Sequence, residues 1–278
     1  MKTRSAGLVI FLLSVAAVVR ARPPYPWHTV PAAGTVDSRF APPAGFVRRA
    51  APEGSFAAWL RGLPVYPAGR EVRFWNGDLK GNQGAHAAVL AVDVGSTDLQ
   101  QCADAVIRLR AEYLYAAGRD REIAFRFTSG DLARWDDWRR GSRPRVRGNR
   151  ATWVAGAAPD ASYASFRRYL DTVFTYAGTT SLARELAPVA DPSRIEPGDV
   201  FVQPGFPGHA VTVLDVAENR AGERRFLIAQ SFMPAQEIHV LRNPADPGSA
   251  WYAARGRGEL RTPEWIFQYG DLRRWRAP

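Results

Sequence analysis

The stretch "PGDVFVQPGFPGHAVTVLDVA", residues 197–217, decides the fold. Pro197, Gly198 and Asp199 form a turn that leads into an apolar strand. A second loop, rich in proline and glycine, follows. Gly208 and His209 then open another strand, Ala210 to Val216. The next turn signal, "AENRAGE", is centred near Arg220, and "RRFLIAQSF" follows it as a third strand. Antiparallel partners about that centre sum to roughly 440, which sets His209 opposite Ser231, or opposite Gln230 after a one-residue slip. Residues 199–203, 210–216 and 225–231 are therefore expected as neighbours in one antiparallel sheet.

Outward from this sheet the chain turns helical. "STDLQQCADAVIRLRAEYLYAAGR" reads as a helix, with Thr97 and Gln100 as a capping box and Gly118 as its stop. "DASYASFRRYLDTVFTYAG" is a second helix, capped by Asp160 or Ser162, and "TTSLARELAPV" is a shorter third. "EVRFWNGD", "AHAAVLAVDV" and "EIAFRFTSG" read as strands, and "RVRGNRATWV" as a hairpin turning at Gly148-Asn149. Helices followed by a hairpin-rich sheet, without regular βαβ alternation, argue an α+β fold with an antiparallel sheet packed on helices. Residues 22–54 are proline-rich and read as an extended arm; 55–278 reads as one domain, opened by a short helix at "SFAAWLRG".

The first 21 residues have a basic head, an apolar run from Ala6 to Val19 and a small residue, Ala21. This is the pattern of a secretory signal peptide, so export to a periplasmic or extracellular space is expected. The run is about 14 residues, short of the ~20 that span a bilayer. The formal charge is +10, and removal of Lys2, Arg4 and Arg20 leaves 10 − 3 = +7. An exported basic protein suits anionic envelope surfaces. No basic-aromatic spacing of a nucleic-acid reader occurs. One cysteine excludes an internal disulfide framework.

Two residues stand out chemically. Cys102 lies in the first or second turn of its helix, where the helix dipole favours a thiolate. It also lines up with Val106, Leu109 and Tyr113 on an apolar stripe, which fits an inert core thiol equally well. His209 beside Gln230 is the second: a glutamine carbonyl would fix the imidazole tautomer and leave the other nitrogen free as a base. Asp104, Arg108 and Glu112 read as an ion-pair face, solvated or partly buried. His28, His86 and His239 lack metal-ligand spacing, so no metal and no cofactor is expected. Trp135, Trp138 and Trp153 read as core or lid residues.

The stretches "DLQQCADAVIRLRAEYLY", "FTSG", "FRRYLDTVFTYAGTTSLARELAPV", "FLIAQSFMPAQEIHVL" and "TPEW", with the stretch at 197–217, resemble the bacterial family of unknown function numbered 4846. That resemblance carries no activity. The order of helix, Pro-Gly-Asp strand, Gly-His strand and a strand ending in a polar residue is more distantly similar to the NlpC-type papain-like cell-wall hydrolases. It implies a papain-like core, with His209 as base and Gln230 as the polar third residue. The chain departs at the nucleophile, because the helix in the family's cysteine position carries Ser162 and Tyr163 instead; Cys102 sits on the earlier helix. Two functions follow as expectations. One is an exported thiol hydrolase or acyl transferase acting on an envelope peptide or peptidoglycan through Cys102, His209 and Gln230. The other is a catalytically inactive module that binds an envelope polymer or partner protein.

Overall fold

The computed structural model describes residues 22–27 and 33–276. The expected signal segment and His28 lie outside them. A nine-stranded antiparallel sheet is the centre of the molecule. Its main path runs through strands His86–Val89, His239–Leu241, Arg224–Gln230, His209–Glu218, Val200–Gln203, Leu272–Arg274 and Ala187–Pro188. Val47–Arg48 pairs with the His209 strand, and Tyr252–Ala253 pairs with the Arg224 strand. The three strands expected from the sequence are neighbours, within a residue or two of their expected bounds.

The hairpin register differs from the expected sum. Arg224 faces Glu218 and Leu227 faces Asp215; beyond a bulge, Ile228 faces Val213 and Ala229 faces Thr212. The bulge takes up one residue at Leu214, and a turn one residue later than its nominal centre accounts for the rest. Continued one step, this register sets Gln230 opposite Val211, so His209 faces neither Ser231 nor Gln230; Gln230 lies diagonal to His209 on the same face, and its side chain reaches the ring. Ser231 instead donates to Gln236 O at 2.8 Å and to Gln100 O at 2.9 Å.

Both faces of the sheet are covered. Ala210, Leu214, Leu227 and Ala229 point into a large core shared with the helices. Val211, Val213, Phe226 and Ile228 alternate with them and point into a smaller core, closed by the hairpin Glu259–Arg261/Ile266–Gln268. Continuous apolar runs such as 226–229 follow from burial on both faces. The helix Cys102–Ala116 lies against the first face, beside the helices Tyr163–Tyr176 and Thr179–Glu185. Among the described residues no helix is long and apolar enough to cross a membrane.

Several local expectations shift. The cap of the Cys102 helix is Gln101, which makes the reciprocal box with Asp104, so Thr97 and Gln100 lie outside it. Ser162, not Asp160, caps the second helix by accepting from the Ser165 amide. Leu132–Arg134 is a strand that pairs with Ala124–Arg126, and Trp135–Arg139 is a short helix directly after it. "EVRFWNGD" makes isolated bridges, Arg73 to Leu79 and Phe74 to Gln236, rather than a strand. The proline-rich arm is not separate from the domain: it carries the helix Val36–Arg39 and the strand Val47–Arg48 that joins the sheet.

Candidate functional site

His209 is the first residue of its strand, and it sits behind Gly208 for a steric reason. A Cβ at 208 would fall 2.5 Å from Thr179 Oγ1 and 2.6 Å from Gly205 O. Only glycine lets the loop turn this tightly against the Thr179 helix before the strand begins. The ring is 1% exposed. Its Nε2 lies 2.8 Å from Gln230 Oε1, so Nε2 carries the proton and donates it to the amide oxygen. Nδ1 is left as the basic nitrogen. Burial pushes the imidazole down to about 4, against the opposing pull of Gln230.

Gln230 is itself held from behind. Its Nε2 donates to Glu264 Oε2 at 2.7 Å and reaches His239 Nε2 at 3.3 Å. A carboxylate only accepts, so Glu264 fixes which end of the amide is nitrogen. Glu264 is neutralised in turn by Lys80, an ion pair that is mostly buried. His239 Nδ1 donates to Glu237 O at 2.9 Å, and burial lowers this ring to about 3. The result is a polar line, Lys80–Glu264–Gln230–His209, inside an apolar layer. Phe232, Trp265 and Phe267 flank the His209 ring at centroid distances of 4.7, 5.2 and 5.7 Å. Trp265 is locked there by its indole N–H, which donates to Gln203 Oε1 at 2.9 Å.

Cys102 reaches the same end of the strand from the other layer. It is the first residue of its fifteen-residue helix and is 8% exposed. Burial and the Asp104 carboxyl push its thiol up to about 11, while the amides of Ala210, Ala103 and Cys102 itself act in the opposite sense. The Ala210 amide follows His209 directly in the chain, which brings the sulfur to the peptide next to the imidazole. Strand alternation sends Ala210 toward the helix layer and the His209 ring toward the hairpin layer. No hydrogen bond joins the sulfur to the ring in this state.

The thiol borders a cavity of about 270 Å³. Gln101, Cys102 and Asp104 form one wall, Phe174 and Gly178 another, and Gly205, Phe206 and Gly208 a third. Phe206, 96% exposed, and Met233 stand at its rim. Asp104 is buried in this wall; its Oδ2 accepts from the Gln101 amide at 3.1 Å, and its Oδ1 has no partner. Burial raises its carboxyl well above the usual range.

The ion-pair face expected on this helix, solvated or partly buried, is present between Arg108 and Glu112 but is buried throughout. Arg108 and Glu112 are both fully buried and paired at 2.6 Å. Arg108 also donates to Gln100 at 2.8 Å, Asp93 at 3.0 Å and Tyr163 at 3.3 Å. The helix packs on all sides, so its polar stripe turns inward instead of to water. Trp135 and Trp138 are core residues, and Trp153 is partly buried against the same core. His86 and His239 approach to 6.1 Å, yet among the described residues no cluster of three His, Cys, Asp or Glu side chains could hold a metal. Sequence reasoning missed Lys80, His239, Glu264 and Trp265. One signal was available for Lys80: it is the lone lysine after residue 2 in an arginine-dominated chain.

No curated protein and no solved structure matches this chain. The family model described as "Domain of unknown function (4846)" matches residues 36–274, a span that holds the sheet, its helices and every site residue above. The chain belongs to that family.

Proposed function

We propose that the protein is an exported papain-like thiol hydrolase or acyl transferase that acts on an amide bond of a cell-envelope peptide or peptidoglycan. One observation carries the reading. The sole cysteine opens a long helix beside a cavity, with its sulfur at the peptide that follows a histidine whose tautomer is fixed by Gln230. Cys102 attacks the carbonyl carbon as its thiol proton passes to His209 Nδ1. The tetrahedral oxyanion forms near the free N–H groups of the helix start. The C–N bond then breaks, and the proton returns from His209 to the leaving amine. Water hydrolyses the thioester, or a second amine accepts the acyl group. Gln230 holds the ring and Trp265 shields it from water. In the resting state thiol and imidazole are both neutral and not hydrogen-bonded to each other, so the reaction requires that substrate binding bring them together.

A second reading is a catalytically inactive module that binds an envelope polymer or partner in the same cavity. The unbonded sulfur and its elevated pKa favour it. The deciding experiment is amine release from cross-linked peptidoglycan and its stem peptides. Hydrolysis that disappears in both Cys102→Ala and His209→Ala, with melting curves retained, supports catalysis. Turnover that survives Cys102→Ala, or no turnover by the wild type on any of these substrates alongside saturable binding, selects the module.

A further inference from the structure

The opposite end of the Cys102 helix borders a second and larger cavity, of about 640 Å³. Six arginines line it: Arg110, Arg121, Arg126, Arg134, Arg184 and Arg276. They come from four separate parts of the chain: the helix and the turn after it, the ribbon Ala124–Arg126/Leu132–Arg134, the helix Thr179–Glu185, and the C-terminal tail. Among the described residues none of the six forms an ion pair with a carboxylate. Those with partners use backbone oxygens: Arg126 on Gly130 at 2.9 Å, Arg184 on Thr128 at 3.4 Å and Arg276 on Glu185 at 3.1 Å. Elsewhere among the described residues about half of the arginines are paired with a carboxylate, as with Arg48 and Arg61 on Asp215 or Arg224 on Glu196 and Glu218, whereas here six unpaired ones converge on one groove.

The two carboxylates in the groove do not neutralise this charge. Glu122 is held by Arg119, which lies outside the lining, at 2.5 Å. Glu185 accepts from the Arg126 amide, and burial pushes it up to about 7, so it is half-protonated near neutrality. Arg110 is the innermost of the six. Its guanidinium stands over the Phe56, Tyr113 and Trp275 rings at 5.1 to 5.7 Å, without an anion. A guanidinium kept partly dehydrated on an aromatic floor presents its N–H fork to whatever enters.

We propose that this groove is an anion-binding site for a ligand carrying two or more phosphate or carboxylate groups. Convergent, unpaired arginines match the paired oxygens of either group. The volume is that of a site for a small molecule or a short polymer segment. The side chains of Arg121 and Arg134 make no hydrogen bond among the described residues, so they are free to turn toward the ligand.

The test is calorimetric titration of the purified protein with inorganic tripolyphosphate and, separately, with citrate, at low and at raised salt. Saturable binding of either probe, weakened by salt, is expected. Tighter tripolyphosphate assigns a phosphate-bearing ligand, and tighter citrate a carboxylate-bearing one. The double variant Arg121→Gln/Arg134→Gln should lose about tenfold or more in affinity, as removal of charge-assisted contacts requires. The control Arg145→Gln/Arg147→Gln removes the same charge from the exposed hairpin and should change affinity by no more than about twofold. Equal losses in the two variants, or no saturable binding of either probe, would overturn the site. Cys102→Ala should bind as wild type does, so this outcome is independent of the catalytic proposal.

Discussion

The middle of the Cys102 helix and its first turn are both buried and both polar, yet they are built differently. In the middle, every nitrogen of Arg108 has a partner, drawn from Glu112, Gln100, Asp93 and Tyr163. At the first turn, Cys102 and one oxygen of Asp104 have no side-chain partner, and across the strand His209 spends Nε2 on Gln230 and keeps Nδ1 as its basic nitrogen. The first satisfies every Arg108 nitrogen, leaving Glu112 Oε2 over, and ties two helices together through Tyr163. The second leaves Asp104 Oδ1 unpaired and the Cys102 thiol without a side-chain partner beside a cavity. A buried polar atom left without a partner costs stability, and here it stands next to a space that a ligand can enter.

This contrast predicts unequal responses to mutation. The largest is at Arg108. Arg108→Ala strips Glu112 of its counter-charge and should cost about 3–5 kcal/mol in urea unfolding, because a carboxylate is left buried and unpaired. A loss below about 1 kcal/mol would mean that the pair is not the scaffold described.

Next is the acid response of His209. The unfolded imidazole takes up a proton near pH 6.5, and the folded one only near 4. The unfolded state therefore binds more protons between these values, and stability falls as pH drops through that window. Each unit of depression is worth about 1.4 kcal/mol. Asp104, whose carboxyl is raised, acts in the opposite direction, so the comparison with His209→Gln isolates the ring. The variant should lose less stability than wild type between pH 6.5 and 4; parallel curves would contradict the buried neutral histidine.

Gln230→Ala should cost about 1–3 kcal/mol, since it unpairs His209 Nε2 and one oxygen of Glu264 together. Gln230→Glu sets a second carboxylate against Glu264 and should restore little of that loss. Full recovery would show that amide polarity is not what the site requires. The smallest effect belongs to Cys102→Ala, at about 1 kcal/mol or less, because the sulfur holds up little packing beyond its own. A large destabilisation would make the thiol a core residue instead of a site residue.

Much of the sheet was legible in the sequence. Turn residues at Pro197-Gly198-Asp199 and Asn219–Glu223, with apolar runs between them, give strand order and direction. Hairpin arithmetic brought Gln230 near His209, but the two are diagonal instead of opposite, because the register runs one residue the other way. What stayed hidden is contact between layers. Lys80 and Glu264 are 184 positions apart and meet only because two loops close over the same face. Periodicity reports that a residue faces inward, not what it meets there. For that reason Arg108 and Glu112 read as a solvated or partly buried face, and the arginine groove, assembled from four separate parts of the chain, had no signature beyond net charge.

The central claim is that His209 acts as base to Cys102, and the pH profile of Cys102 alkylation tests it most directly. Iodoacetamide labelling of the single thiol would be followed by mass spectrometry in wild type and in His209→Gln. With the thiol near 11 and the imidazole near 4, a histidine-assisted reaction gives a plateau above pH 4 across neutrality, followed by a rise toward 11. The variant should keep the alkaline rise and lose the plateau. Superimposable profiles, both rising only toward 11, would contradict the pairing and leave Cys102 as an unassisted thiol beside a binding cavity.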